Sequence, residues 1–144
     1  MGYGTQSRQG LVIPDTTNLA AIAFQTAADK SNFRVIGAIT VLRIGVLITT
    51  AVTVTAAVLD FDRRVTPASD TGRVNSGVGR ITAPVSGSTI GQLVYKDVAV
   101  DLNPGDEIVF ELVTASTAGG GIPFVEYIAR DEVAGNWTEM VASA

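Results

Sequence analysis

The sequence predicts an all-β protein: a single-domain β-sandwich with Greek-key or jelly-roll connections, jelly roll first and an up-and-down barrel as the alternative, preceded by an extended N-terminal arm. Three observations lead there. Val, Ile and Thr number 19, 11 and 16, together 46 of 144 residues, and side chains forked at Cβ fit a pleated sheet better than the crowded turns of a helix. The 15 Gly and 5 Pro punctuate short apolar runs, as turns between strands require. Helix formers other than Ala are scarce, with 2 Lys, 5 Glu and 8 Leu. A chain of 144 residues suits one domain. Within it an arm is expected over residues 1–18, the sandwich over 19–130 and a tail over 131–144.

The arm, MGYGTQSRQGLVIPDTTN, is too polar and Gly-rich to form a core of its own. Its one apolar cluster, Leu11-Val12-Ile13, stands before Pro14, which biases Ile13 toward extended geometry. Such a peptide is expected to add to a sheet edge or lie in a groove of a neighbouring subunit. Residues 19–28 fit a short helix or a first strand, and the strand, with Ile22, Phe24 and Thr26 on one face, is preferred because the next strand is close. Residues 33–49 read as one long strand bent at Gly37 and Gly45, and 50–62 as the strand after it. Residues 66–78 have the Pro, Ser, Asp, Gly and Asn content of a loop.

A short strand over 79–84, a turn at Ser86-Gly87-Ser88 and a strand over 92–101 follow. Asn103-Pro104-Gly105-Asp106 predicts a type II turn, since Pro presets φ at its second position and Gly supplies positive φ at its third. Beyond it Ile108, Phe110 and Leu112 alternate with Val109, Glu111 and Val113 as a strand requires. Residues 115–121 read as a loop and 122–129 as the last strand. The tail carries Trp137 and Met140, large apolar groups that either fold back on the sandwich or anchor an interface.

The composition also excludes chemistry. Without His there is no Ser-His-Asp or Cys-His catalysis and no imidazole ligand, and without Cys no thiol nucleophile or Fe–S cluster. A net charge of −4 argues against a nucleic-acid partner. Residues 1–18 lack the basic start and apolar run of a secretion signal. The uncharged stretch 44–59 falls short of the roughly 20 residues a membrane helix needs. Ten of its 16 residues are Val, Ile or Thr, so it reads as sheet and no membrane partner is expected.

Asp60 and Asp62 share a strand face and could bind Ca²⁺ or do acid–base work, but Arg63 and Arg64 follow, and a charge-compensated strand end is the simpler reading. Residues 101–106 have the outline of a calcium loop yet place Leu112 where the terminal Glu belongs. Gly119-Gly120-Gly121 is followed by no Lys-Ser/Thr, and Gly87-Ser88 lacks the nucleophile-elbow spacing. Asn136-Trp137-Thr138 matches the glycosylation acceptor pattern with no leader to accompany it. Arg63, Arg64, Arg73 and Arg80 gather around the long loop, where solvated charges are the default. No catalytic residue, cofactor or metal is assigned.

From Ile39 onward the chain resembles small virion proteins of tailed bacteriophages. The resemblance is carried by TVLRIGVLITTAV (40–52), VLDFDRRVTPASDTGRVNSGVG (58–79), VYKDVAVDLNPGDEIVFELVTASTAGGGIPFVEY (94–127) and the tail to Met140-Val141. It implies a non-enzymatic capsid decoration (cement) protein with a jelly-roll fold, made in the host cytoplasm and carried on the capsid exterior. The major capsid protein would be its partner, with no cofactor. A homo-oligomer is expected, a trimer first. Residues 1–30 fall outside the resemblance, so their role rests on composition. Leu11, Val12 and Ile13 of the arm, with the large apolar Trp137 and Met140 of the tail, are the expected partner-binding residues. The alternative is a carbohydrate- or receptor-binding sandwich of a phage fibre or tail, which would need an exposed aromatic platform from only 5 Phe, 3 Tyr and 1 Trp. A hydrolase using paired carboxylates is the third reading.

Overall fold

The structure, a computed structural model, describes residues 9–12, 21–65, 69–130 and 140–142. Among these there are ten strands and no helix: β1 (Gln9–Val12), β2 (Ile22–Ala23), β3 (Ala28–Val35), β4 (Ile39–Thr53), β5 (Ala57–Arg64), β6 (Val74–Ala83), β7 (Leu93–Leu102), β8 (Glu107–Thr114), β9 (Ala118–Ala129) and β10 (Met140–Ala142). They form two antiparallel sheets. The first runs β1-β9-β4-β7, with β2 also on β9, and the second runs β10-β3-β8-β5-β6.

From β2 to β9 the chain changes sheet at every connection except the β5–β6 hairpin. That alternation is the jelly-roll arrangement. Period-two alternation then buries one side chain in two on each inner face. Phe33, Leu59, Phe61, Ile108, Phe110 and Leu112 from the second sheet meet Ile39, Val41, Ile44, Val46 and Ile48 from the first. The Phe61 and Phe110 rings stand edge to face with centroids 5.2 Å apart, a favoured arrangement for aromatic quadrupoles.

The type II turn at 103–106 is present. Asp106 N donates to Asn103 O at 3.1 Å, and Gly105 has φ +91°. Gly105 N and Val35 N tie the turn to the end of β3 through Val35 O and Asp106 O, each at 2.8 Å.

Several expected boundaries move. Residues 33–49 are not one bent strand. The break falls at Ile36–Gly37–Ala38, because the chain must cross from one sheet to the other for both apolar runs to reach the core. Gly45 does not bend β4 but makes room for the Phe124 ring, and the register shifts against β9 lie elsewhere, between Val41 and Arg43, Ile48 and Thr50, and Thr50 and Thr53. The reversal expected near residue 50 comes at Val54 instead, so the uncharged stretch is most of β4 and the start of β5.

Among the described residues 21–28, Ile22 and Ala23 pair with β9 and Ala28 already opens β3, while Phe24 turns inward to cap the core. The loop expected over 66–78 ends early, as β6 begins at Val74 opposite Arg63. Likewise Gly119, Gly120 and Gly121 belong to β9. A Cβ on Gly121 would lie 2.6 Å from Leu47 O, so the absent side chains are what allow this segment to pair so closely.

Candidate interaction surfaces

β5 reads Ala-Val-Leu-Asp-Phe-Asp-Arg-Arg, and its period of two sends Leu59 and Phe61 inward and Asp60, Asp62 and Arg64 to the outer face of the second sheet. Asp60 lies between Arg80 of β6 and Glu111 of β8. Arg80 clamps it through two nitrogens, Nη2 standing 2.8 Å from Oδ2. Arg73, just ahead of β6, brings its guanidinium into the middle of the face. Nη2 stands 2.7 Å from Asp62 Oδ2, 2.7 Å from Asp29 Oδ1 and 3.2 Å from Glu111 Oε2, and Nη1 stands 3.1 Å from Asp70 Oδ1. Ser76 N donates to the other Asp62 oxygen at 2.7 Å. Farther along, Arg64 pairs with Glu107 at 2.9 Å and Arg63 with Asp106 at 2.8 Å.

The titrations follow from these contacts. Hydrogen bonds from Arg73 hold the Asp29 carboxyl below its ordinary value. Burial works against charge on Asp60, but the bonds from Arg80 and Ser76 outweigh it and its value is also lowered. Glu111 goes the other way: burial first, then the bonded Asp62 carboxyl, raise it.

Oxygens of Asp60, Asp62 and Glu111 lie within 4.8 Å of one another, close enough to suggest a metal centre. The chemistry of the cluster does not fit one, because the Arg73 and Arg80 guanidiniums already supply the positive charge at hydrogen-bond distance. What the arrangement does is fasten the β5–β6 loop onto the sheet. This corrects two expectations. The charges on Asp60 and Asp62 are compensated not by the adjacent Arg63 and Arg64 but by Arg80 and Arg73, 20 and 11 residues away. The four arginines of the loop region are ion-paired within the chain, Arg64 and Arg73 largely buried and Arg80 half exposed.

The expected partner-binding residues divide. Leu11 and Val12 lie in β1, paired in register with Glu126 and Val125 of β9, so the arm adds to a sheet edge of its own chain. Met140 opens β10 opposite Val35 of β3. Ile13 and Trp137 lie outside the described residues, as does the Asn136-Trp137-Thr138 pattern. At the opposite edge β6 and β7 meet, with Gly79 facing Val98. β1 and β10 therefore both sit on the side of the sandwich away from them.

On the outer face of the first sheet, Arg43 stacks 4.1 Å over the Tyr95 ring and donates to Asp97 at 2.7 Å. Phe24, Phe33, Phe61 and Phe110 are fully buried and Phe124 nearly so, which leaves Tyr95, 50% exposed beneath Arg43, as the exposed aromatic ring among the described residues. Sequence reading missed Arg73 as the hub and missed Asp29 and Glu111 as its partners. The only signal was their position on polar faces of strands whose order was unknown. No family model, characterised protein or solved structure matches the chain.

Proposed function

We propose that the chain is a structural virion protein, a capsid decoration (cement) protein that binds the outer face of the major capsid protein shell and stabilises it. The observation that carries this reading is the position of the terminal strands. β1 and β10 are the outermost strands of their sheets on one side of the sandwich. Leu11 and Val12 of the arm and Met140 of the tail, which composition singles out, thus lie along a single edge. An edge strand is suited to engage a neighbouring surface by backbone pairing. The resemblance to virion proteins supplies the class of partner.

A second support is the charged face, where carboxylates and guanidiniums are committed to one another in a structural network. Stabilisation then follows from mass action. A protein that binds only the assembled shell adds about 2.7 kcal/mol per site at a free concentration one hundred times its dissociation constant.

The test adds full-length chain, or a chain lacking residues 1–18, to purified shells of the matching capsid protein and measures occupancy. Circular dichroism checks that both chains are folded. Full-length chain is expected to saturate the shell and raise its disassembly temperature, and the truncated chain to fold yet bind more weakly. Absence of full-length binding overturns the reading. Equal binding of the two chains removes the arm from it.

A further inference from the structure

Charge is segregated along the sandwich. Residues 21–28, 44–59, 81–95 and 112–125 contain no Asp, Glu, Lys or Arg. The fold gathers these four separate stretches at one end. Val52 N donates to Ser88 O and Phe24 N to Gly119 O, both at 3.0 Å. Ser116 Oγ donates to Thr53 O at 2.9 Å, and Leu47 pairs with Leu93. In the first sheet the charges begin with Arg43, Lys96, Asp97 and Glu126, and in the second with Asp29, Asp60, Arg80 and Glu111.

The uncharged end is also where apolar side chains reach solvent. Of nine large hydrophobic residues exposed among the described residues, six lie in these stretches: Val54 (78%), Ile90 (74%), Tyr95 (50%), Leu93 (46%), Val85 (42%) and Leu47 (38%), with Tyr95 at the border beneath Arg43. Val54 forms the extreme tip. Thr55 N donates to Thr53 O at 2.8 Å across it, and Val54 takes φ +70°. This is a γ-turn of the rare, strained hand. A β-branched residue is rarely held in this conformation, and at this exposure packing within the chain returns almost nothing.

We propose that copies of this chain associate through the uncharged tip, each docking Val54, Ile90 and their neighbours against the same surface of another copy. A charged partner surface would lose its hydration here without gaining an opposite charge. Among the described residues a second copy brings no charge to this end, since its charged side chains begin only at Arg43, Lys96 and Glu126 in one sheet and at Asp29, Asp60, Arg80 and Glu111 in the other. The tip is also polar in a self-compatible way. Its exposed Thr53, Thr55 and Thr89 carry hydroxyls that can rotate to donate or accept, as a contact between like surfaces needs. The inference concerns the chain alone and stands whether or not it binds a shell.

The experiment is sedimentation equilibrium of the full chain at micromolar concentration, in low and high salt, for wild type, Val54→Asp and Ile90→Asp. Both side chains are exposed, so urea midpoints close to wild type are expected and are checked. Wild type is expected to exceed the 14.9 kDa monomer mass and to hold together in high salt, since no ion pair is screened. Each Asp variant is expected to associate at least about tenfold more weakly, as a buried unpaired carboxylate dictates.

A wild type that stays monomeric overturns the proposal, and so do variants that associate as wild type does. Association that salt dissolves would place the contact at the charged end instead. Neutral phosphatidylcholine vesicles form a separate arm: a monomer that sediments with them through Val54 and Ile90 would make the tip lipid-facing and overturn it too.

Discussion

Two glycines show how differently a missing side chain can matter. Gly105 has φ +91° and a Cβ there would meet nothing within 4 Å, so Gly105→Ala is opposed by backbone strain alone. The cost is about 1 kcal/mol, and Gly105→Asn, a residue that tolerates left-handed backbone, should recover part of it. Gly45 is the opposite case. Its Cβ would stand 2.5 Å from the Phe124 ring and 2.7 Å from Val94 O, and although the ring could shift, the backbone oxygen is held in the β4–β7 pairing. Gly45→Ala should therefore cost more, about 2–3 kcal/mol by overpacking. Urea denaturation of the three variants checks the order, and a Gly45→Ala variant as stable as Gly105→Ala would refute this account of β4. The turn glycine was legible because Asn-Pro-Gly-Asp is local chemistry. Gly45 was not, because the ring that needs its space lies 79 residues on.

Among the elements, the outer face of the second sheet sets the response to pH. Asp29 and Asp60 lie below their ordinary 3.8 in the folded chain. The stability they contribute is present above that value and lost as pH falls through their folded values. Glu111 lies above its ordinary 4.5. Its contribution has the other sign, fully present in acid below 4.5 and lost as pH rises through its folded value. Stability should therefore peak in mild acid. Urea midpoints measured across pH are expected to rise from neutral into mild acid and fall below about 4. Glu111→Gln should flatten the first of these flanks and leave the second. A wild type with no rise on mild acidification, or a Gln variant that keeps it, contradicts the assignment. Asp60 and Asp62 on one strand face could be read from a two-residue period. Which cations answer them depended on the β5–β6 and β5–β8 registers, which no local pattern specifies.

The whole molecule is held by pairings between strands remote in sequence. β4 pairs with β9, β3 and β5 with β8, and the β5–β6 hairpin is the one connection from β2 to β9 that stays within a sheet. Loop closure must precede most of the favourable contacts, so folding is expected on the millisecond-to-second scale of all-β domains. Stopped-flow refolding monitored by far-ultraviolet circular dichroism measures it, and completion within microseconds would be inconsistent with this topology. The segregation of charge belongs to the same scale. Four uncharged stretches lie dispersed along the sequence and become one surface only when the jelly roll brings their ends together.

The sequence by itself determined the all-β class, the division into short apolar strands, the turn at 103–106 and the alternation that sends Ile108, Phe110 and Leu112 inward. These follow from steric preferences and periods acting over a few residues, which any fold of the chain must respect. Only the tertiary structure decided that residues 33–49 break between two sheets and that Gly119–Gly121 pair as strand. It also decided that Arg73 serves carboxylates from β3, β5 and β8, and that Val54 and Ile90 share a tip. Each of these depends on which distant strand lies alongside, and burial of the two inner faces, a property of the assembled sandwich, sets that choice.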